Sequence, residues 1–273
     1  MNVWINGRSG AAIDCRDRGL QYGDGLFETM RVRRRGVRLL DFHLQRLAAG
    51  CARLRIELPE VGRLRREIAR AAALRDEGVL KLIVTRGAGA RGYRPPARER
   101  ATRILMLGSL PAHARAAEPS PARVRLCRTR LGANERLAGL KTLNRLESVL
   151  ARMEWRDQHI FEGLLLDTDG YIVCGTMSNV FLRRGANLTT PPIDRCGVAG
   201  VMRRWVLEQA RSIGLRASVR RVRVEDLDDA QEMFLSNAIM GPMPVGVIMR
   251  GNRRVRPSSR QAALMLRARL QAL

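Results

Sequence analysis

The sequence predicts a mixed α+β fold with two lobes, and three observations lead to this expectation. Strand patterns and amphipathic helix patterns follow one another throughout the 273 residues, which are enough for a sizeable core. Residues 112–122 are rich in proline and alanine and have no hydrophobic period, which is typical of a linker. We therefore expect a smaller N-terminal α/β lobe over residues 1–111 and a larger C-terminal lobe over residues 123–273.

In the first lobe, turn residues separate short strands that lead into helices. Asn6-Gly7 predicts a hairpin turn, and Phe27 to Arg33 has the character of a strand that ends before a second turn at Gly36. Asp41 is a plausible N-cap for the first long helix. The remaining elements expected in this lobe are a helix over 60–77 and strands over 79–85 and 104–107.

In the second lobe, shorter strands alternate with three helices. The expected strands cover residues 124–127, 161–166, 171–173, 219–224 and 232–236. The expected helices begin near Lys141, near Val198 and near Ser258. A glycine at a helix start, as at Gly200, allows backbone amides to approach an anion closely, although a plain helix entry is the commoner case.

Composition narrows the possible functions. The net charge is +24, but the arginines are spread along the whole chain and aromatic residues make up only 4%. This pattern argues against specific nucleic-acid binding, because such sites gather basic residues and interleave stacking rings. Five cysteines at wide spacings, without a C-x-x-C pair, argue against a disulfide framework and against a zinc site. With no apolar signal core and no run long enough to span a membrane, we expect a cytoplasmic protein.

The clearest chemical signal is the survival of two lysines. Only Lys81 and Lys141 remain among 50 basic residues, and the other 48 are arginine. Arginine replaces lysine as a surface cation but not as an amine nucleophile, because the guanidinium stays protonated. A lysine that is retained in such an arginine-rich chain is therefore a candidate for imine chemistry. The alternative is that it is retained by chance. Lys81 lies in an apolar strand, where a lysine is more often an edge or snorkelling residue.

Six segments, in order along nearly the whole chain, resemble the fold-type IV pyridoxal-phosphate enzymes. This group contains D-amino-acid and branched-chain aminotransferases and aminodeoxychorismate lyases. The matching segments are Tyr22-Gly-Asp-Gly-Leu-Phe-Glu-Thr-Met-Arg31, His43-x-x-Arg46-Leu, Lys141-x-Leu-Asn144, Ser178-Asn179-Val-Phe181, Thr190-Pro191 and Gly200-Val-Met-Arg203.

Within this group the chain looks most like the aminodeoxychorismate lyases. The features that favour them are Lys141-Thr-Leu-Asn-Arg-Leu-Glu147, the Thr85–Tyr93 loop and Ser236-Asn-Ala-x-Met-x-Pro-Met-Pro-Val245. The resemblance implies a barrel-like mixed sheet in the larger lobe, a homodimer and the cofactor pyridoxal 5'-phosphate. It also implies conversion of 4-amino-4-deoxychorismate to 4-aminobenzoate and pyruvate in folate biosynthesis.

The resemblance also implies roles for individual residues. Lys141 would carry the cofactor as a Schiff base and then act as general base. Arg46 would bind the cofactor phosphate through its guanidinium fork, and the amides of Val201 and Met202 would bind it at a helix start. The remaining assignments are cofactor contacts from Asn237 and Ala238, and substrate contacts from Asn237, Arg91 and Tyr93.

One position departs from the family pattern. Cys174 stands where the family usually has a glutamate, which keeps the pyridine nitrogen of the cofactor protonated. A thiol is a poor substitute for a carboxylate. We interpret this as a change that a lyase tolerates, because loss of enolpyruvate creates an aromatic ring and favours the reaction. The alternative is that Cys174 is a small buried residue and that another group or a water contacts the nitrogen.

Two other functions stay open at this point. A D-amino-acid or branched-chain aminotransferase would share the fold, the cofactor and Lys141, since fold alone does not fix the reaction. A basic nucleic-acid-binding protein without catalytic activity is the remote alternative.

Overall fold

The computed structural model describes residues 1–98, 100–116 and 118–273, and the chain divides into two compact units. Unit 1 contains Met1–Pro111 and Leu140–Asn144, and unit 2 contains Ala112–Gly139 and Arg145–Leu273. The expected division differs at residues 140–144, which the sequence placed with the C-terminal lobe. The expected linker, 112–122, groups with unit 2, and its residue Ala117 lies outside the described residues.

Unit 1 is built on one antiparallel sheet. Its strands are β1 (Asn2–Ile5), β2 (Arg8–Ser9), β3 (Gly25–Arg33), β4 (Gly36–Val37), β5 (Glu77–Thr85) and β6 (Thr102–Gly108), in the order β2-β1-β6-β5-β3-β4. Its helices are α1 (Arg18–Tyr22), α2 (Leu40–Leu54) and α3 (Val61–Ala72).

Alternation along the central strands of unit 1 separates a core face from a more open face. Met30 on β3 and Leu80 on β5 pair with each other and are fully buried, and they share a core cluster with Leu47 of α2 and Leu64 of α3. Because neighbouring strand residues point to opposite sides, Phe27 and Thr29 occupy the other face, and both are only partly buried. This open face of the unit 1 sheet carries the ring of Phe27 and the side chain of Lys81, whereas Glu28 points to the core face.

Unit 2 contains a mixed nine-stranded sheet. Its strands are β7 (Ala122–Leu131), β8 (Glu162–Asp167), β9 (Ile172–Gly175), β10 (Asn179–Arg184), β11 (Asn187–Thr190), β12 (Arg216–Val219), β13 (Glu232–Asn237), β14 (Gly241–Arg250) and β15 (Arg253–Val255). The order is β12-β11-β10-β13-β14-β7-β8-β9, and β15 pairs with β14. The pairs β11–β12, β7–β14 and β7–β8 are parallel and the others are antiparallel.

The helices of unit 2 are α4 (Leu146–Arg152), α5 (Val201–Gln209) and α6 (Gln261–Gln271). Single 3-10 turns cover Ala112–Ala114, Ala210–Ile213 and Glu225–Leu227. Among the described residues, no helix has both the length and the apolar character needed to cross a membrane.

The sequence pattern does not predict β14, which contains Pro242 and Pro244. Proline removes a ladder donor and usually excludes a central strand. Both prolines pair only with β13, because the pairing of β14 with β7 begins at Val245. The missing N–H groups therefore lie where β14 has a neighbour on one side only.

Three other local predictions were wrong. Helix α2 is capped by Leu39 in a left-handed conformation, and Asp41 lies in the first turn, where it forms an ion pair with Arg65. Lys141 does not open a helix, since α4 begins five residues later at Leu146. The strand expected over 219–224 lies at Arg216–Val219 instead, where it pairs in parallel with β11.

Candidate active site

Lys141 is held by main-chain pairing with the first residues of β3. The carbonyl oxygen of Lys141 accepts a hydrogen bond from the amide of Phe27 at 3.0 Å, and the amide of Leu143 donates to Gly25 at 3.1 Å. These two bonds explain why Leu140–Asn144 belongs to unit 1. They also fix the backbone of Lys141 beside the open face of the unit 1 sheet.

Both lysines of the chain contact the same aromatic ring. The ammonium of Lys141 lies 4.1 Å from the ring centroid of Phe27, and that of Lys81 lies 5.0 Å from it. A cation over an aromatic face gains favourable energy from the ring quadrupole. Lys81 is not an edge residue, because β5 lies between β3 and β6 in the sheet.

A buried carboxylate joins the two polar candidates on α2. Glu28 of β3 accepts from Nδ1 of His43 at 2.6 Å, and it accepts from Arg46 through Nε at 2.8 Å and Nη2 at 2.5 Å. The side chains of Glu28 and His43 are 2% and 1% exposed, and that of Arg46 is 14% exposed. His43 and Arg46 therefore share one face of the helix, as their spacing predicts.

Burial and ion pairing determine which groups of this cluster are charged at neutral pH. Burial alone raises the pKa of Glu28, but the charge of Arg46 and the hydrogen bond from His43 outweigh it, so the pKa falls below its ordinary value. Burial and the positive charges of Arg46 and Lys141 lower the pKa of His43, and together they outweigh the opposing effect of Glu28. At neutral pH the cluster is an ionised carboxylate, a cationic fork and a neutral imidazole.

The imidazole has one unsatisfied atom. Because ionised Glu28 only accepts, Nδ1 of His43 must be the protonated nitrogen, and Nε2 carries the lone pair. Nε2 is buried and has no hydrogen-bond partner among the described residues.

Arg91 and Tyr93 lie on an exposed loop of unit 1. The side chain of Tyr93 is among the most accessible apolar groups, with 84% of the residue exposed. The ring of Tyr22 packs against that of Tyr93 edge-on, with centroids 5.4 Å apart. Both residues belong to unit 1, as do Lys141 and Arg46.

In unit 2, helix α5 begins with an uncapped turn. Gly200 is the N-cap, and no side chain in the described part of the chain caps it. A Cβ placed on Gly200 would lie 2.1 Å from Oδ1 of Asn179, so any larger residue would force the Asn179 side chain to move. Val201 and Met202 open the helix and are buried. A helix N-terminus of this kind offers backbone amides and a favourable dipole to an anion.

Arg203 fastens the loop that precedes α5. Its Nη2 donates to the carbonyl of Pro191 at 2.9 Å and its Nε to the hydroxyl of Thr190 at 3.3 Å. Burial lowers the pKa of Arg203 below its ordinary value, without changing its charge at neutral pH. The Thr190-Pro191 and Gly200–Arg203 segments are thus joined by direct contacts.

Cys174 lies on β9 and is 8% exposed. Burial raises the pKa of its thiol far above the ordinary value, and the nearby acidic groups Cys196 and Glu162 raise it further. The positive charge of Arg145 opposes this rise in the pKa of Cys174. At neutral pH Cys174 is therefore an uncharged thiol and does not supply the anionic oxygen of a glutamate.

Asn237 closes the turn after β13. Its Oδ1 accepts from the amides of Ile239 and Met240 at 3.0 and 2.9 Å, and its Nδ2 donates to the carbonyl of Met177 at 3.3 Å. Ala238 follows within this turn and is partly buried. The preceding residue, Ser236, is fully buried, and its hydroxyl has no hydrogen-bond partner among the described residues.

Glu162 is a polar core residue that sequence reasoning missed. It is fully buried and accepts hydrogen bonds from five donors: the amides of Gly163, Thr176 and Met177 and the hydroxyls of Thr176 and Ser178. Burial raises its pKa above the ordinary value, although these donors oppose the shift. A glutamate inside the apolar run Phe161–Leu166 is the signal that could have revealed it. Its role is to fix the turn that leads into Asn179.

A family model described as "Amino-transferase class IV" matches residues 25–248. The matched range contains Lys141, the Glu28 cluster, the start of α5 and the turn at Asn237. The chain belongs to the class IV aminotransferase family.

The relatives within this family include lyases and aminotransferases. An aminodeoxychorismate lyase from Vibrio harveyi is 35% identical over 246 residues, which cover 90% of each chain. A putative branched-chain-amino-acid aminotransferase from Methanocaldococcus jannaschii is 30% identical over 253 residues, covering 90% of this chain and 87% of that protein.

Solved structures give the same picture. A 4-amino-4-deoxychorismate lyase from Pseudomonas aeruginosa is 44% identical, with a TM-score of 0.91 and coverage of 99% of this chain and 98% of that chain. A hypothetical aminotransferase from Mycobacterium tuberculosis in its PLP-bound form is 25% identical, with a TM-score of 0.83 and coverage of 99% and 98%. The expected two-lobed fold of the class IV family is confirmed by these matches.

Proposed function

We propose that this class IV enzyme is an aminodeoxychorismate lyase that uses pyridoxal 5'-phosphate. The observation that carries the proposal is the placement of Lys141, one of two lysines in an arginine-rich chain, beside Phe27 on the open face of unit 1. The likeness to the Vibrio harveyi and Pseudomonas aeruginosa lyases supports this activity over other reactions in the family.

The residues of the chain fit the cofactor. The uncapped start of α5, with a glycine in close contact with Asn179, suits a phosphate group. In unit 1, Lys141 would form the imine and Arg46 would bind the phosphate, with its fork oriented by Glu28. In unit 2, the amides of Val201 and Met202 would bind the phosphate.

Two further cofactor contacts would come from the end of β13. Ala238 would donate its amide, and Asn237 would shape the turn through its bonds to Ile239 and Met240. The hydroxyl of Ser236, which has no hydrogen-bond partner among the described residues, adds a donor that is already desolvated, so it would gain a partner at little further cost.

Lys141 moves the proton in the proposed reaction. When bound, the cofactor supplies an electron sink for the ring carbon that bears the substrate amine. The Nζ atom of Lys141 would accept the proton from that carbon, and the bond between the neighbouring ring carbon and its oxygen would break as the ring becomes aromatic. The enolpyruvate that leaves would take up a proton, returned from Lys141, and become pyruvate. The ring of Phe27 stabilises the ammonium that results, because a cation over an aromatic face is attracted to it.

The substrate carries two carboxylates, and the exposed loop of unit 1 supplies groups to recognise them. Arg91 would pair with a carboxylate, Tyr93 would contact the ring, and Asn237 would contact the substrate from the turn after β13. The net charge of +24 would also increase the encounter rate with an anionic substrate.

A product assay tests the proposal. Purified protein is supplied with pyridoxal 5'-phosphate and with aminodeoxychorismate generated in place, and 4-aminobenzoate and pyruvate are measured. Lys141→Ala should lose both products and the visible absorbance of the imine. Lys81→Ala is the matched control, because it removes the other ammonium over Phe27 and should keep the imine absorbance.

Aminotransferase activity is the second candidate, and a specific comparison favours testing it. A relative from Mycobacterium tuberculosis, 29% identical over 235 residues, is described as a bifunctional aminodeoxychorismate lyase and D-amino acid transaminase. Protein that binds the cofactor but releases neither lyase product, while it transfers an amino group to a keto acid, would overturn the lyase proposal in favour of the aminotransferase.

We infer that the chain acts as a homodimer. Helix α4 buries Ala151 but exposes a stripe at helical spacing, formed by Leu146, Val149, Leu150 and Met153. A second copy would bring an identical stripe, as a two-fold interface requires. Sedimentation of the unmodified protein and of Leu150→Asp tests this: a dimer that the substitution does not weaken would remove α4 from the interface.

We further propose that the protein works in the cytoplasm. All five cysteines are free thiols, which suits a reducing compartment. Cell fractionation that recovers the protein outside the cytoplasm would contradict this proposal.

A further inference from the structure

The loop of residues 89–94, called here the Gly92 loop, combines an exposed surface with an unusually buried attachment. It carries Arg91 and Tyr93, and its side chains face solvent. Gly92 adopts a φ of 96°, a conformation that suits glycine. Among the described residues, the main-chain hydrogen bonds of Gly92, Tyr93 and Arg94 go to side chains of α1 and not to neighbouring strands.

The main attachment is the guanidinium of Arg18. Its Nη1 donates to the carbonyl of Gly92 at 2.9 Å and to that of Arg94 at 3.4 Å, and its Nη2 donates to the carbonyl of Tyr93 at 3.0 Å. The residue is 3% exposed. A charged donor buried against carbonyl groups makes stronger bonds than a neutral one, and its planar fork fixes their direction.

Tyr22, at the end of the same helix, adds a second attachment. Its hydroxyl accepts from the amide of Gly92 at 3.2 Å, and its ring lies 5.0 Å below the guanidinium of Arg18. The same ring packs against Tyr93. One helical turn, α1, therefore contacts the loop through hydrogen bonds, a cation–π contact and an aromatic pair.

The direction of Arg18 is itself set by a charge network. Asp24 accepts from Nε of Arg18 at 2.8 Å and from Nε of Arg86 at 2.8 Å. Arg86 in turn donates to the carbonyls of Leu54 and Arg55, both at 2.8 Å, at the C-terminal end of α2. Asp24 thus connects the Gly92 loop to the helix that carries His43 and Arg46.

We propose that Arg18 is a positioning residue for substrate recognition: it holds the Gly92 loop so that Arg91 and Tyr93 are presented in one arrangement. This inference rests on the proposed function, because it assigns the loop to the substrate. The physical reason is that an exposed loop without strand pairing would otherwise lose conformational entropy when substrate binds. A buried cation that bonds three successive carbonyls removes that freedom in advance.

The test compares three variants with a matched control. Arg18→Met removes every loop bond from the guanidinium, Arg18→Lys keeps the charge but loses the fork, and Tyr22→Phe removes only the acceptor for Gly92. Arg103→Met is the control, since Arg103 is also a buried arginine of unit 1 but binds Glu67 at 3.0 and 3.1 Å, on another part of the sheet.

Two measurements are made on each protein with cofactor bound. Steady-state kinetics give KM and kcat for the lyase reaction, and limited trypsin digestion with intact-mass detection gives the rate of cleavage after Arg91. We expect Arg18→Met to raise KM by about tenfold or more, with kcat changed by less than about threefold. We expect cleavage after Arg91 to accelerate, Arg18→Lys to recover only part of both effects, and Arg103→Met to show neither.

The outcomes distinguish failure of the role proposed for Arg18 from failure of the proposed lyase function. Unchanged KM in the presence of faster cleavage would overturn the role in substrate recognition, and unchanged cleavage would overturn the anchoring by Arg18. If Arg18→Met does not fold, Tyr22→Phe decides the question, with a smaller rise in KM and in cleavage expected. Absence of products from the unmodified protein would overturn the proposed function, while the cleavage rates would still decide whether Arg18 holds the loop.

Discussion

Replacement of Glu28 by glutamine tests how the Arg46 fork is held. Glu28 and His43 are almost completely buried, Arg46 is nearly so, and Glu28 bonds both partners at 2.5–2.8 Å. Glutamine keeps the shape but loses the charge, and its amide N–H groups would face donors of Arg46 or His43.

The size of the effect follows from the burial of the pair. Removal of one partner from a buried ion pair leaves an uncompensated charge and costs about 3–5 kcal/mol. Because the pKa of Glu28 is lowered in the folded protein, its stabilisation is present at neutral pH and is lost as pH falls below the ordinary glutamate range. We therefore expect Glu28→Gln to lower the free energy of unfolding at pH 7 by about 3 kcal/mol or more.

The assay is urea unfolding at pH 7, followed by circular dichroism, with and without cofactor. Glu77→Gln is the matched control: it makes the same change on β5, where Glu77 is 45% exposed and lies 3.4 Å from Arg31. Because nearly half of the Glu77 side chain stays in water, although Arg31 is buried, we expect the control to lose less stability than Glu28→Gln. A loss for Glu28→Gln no larger than that of the control would refute the reasoning, as would an unchanged affinity for the cofactor.

Three further predictions concern unit 2 and the cysteines. Gly200→Ala should weaken cofactor binding and cost about 1–3 kcal/mol of stability, because the new Cβ would overlap Oδ1 of Asn179. Calorimetry with and without cofactor measures both effects, and the control Gly108→Ala, whose new Cβ meets nothing within 4 Å, should show neither effect. Cys174→Glu should leave the lyase rate within a few-fold of the unmodified enzyme, and a large gain in stopped-flow product formation would show that the thiol is a defect. In native protein at pH 8, a thiol reagent should modify Cys15 rapidly and the four buried cysteines only after unfolding. Burial raises the pKa values of these four thiols, and the thiolate is the reactive form. Rapid modification of two or more thiols in the native protein would contradict this prediction.

Short-range signals in the sequence account for much of the fold. The apolar run at 79–85 and the strand pattern at 27–33 predict β5 and β3 within two residues of their observed ends, and turn residues mark the hairpin at Asn6-Gly7. The contrast between arginine and lysine by itself reduces the candidate amine nucleophiles to Lys81 and Lys141. These signals succeed because backbone preference and side-chain period depend on neighbours a few residues apart.

Long-range pairing decides the rest. The sequence pattern does not show that Glu28 meets both His43 and Arg46, that Leu140–Asn144 joins unit 1, or that Arg18 reaches carbonyls more than 70 residues away. The prolines of β14 argue against a strand, and only its register with β13 and β7 shows how they are accommodated. A charged residue looks the same in a sequence whether it is solvated or buried. Only the tertiary structure determines which charges lose their water and must find partners, and those charges position the proposed site.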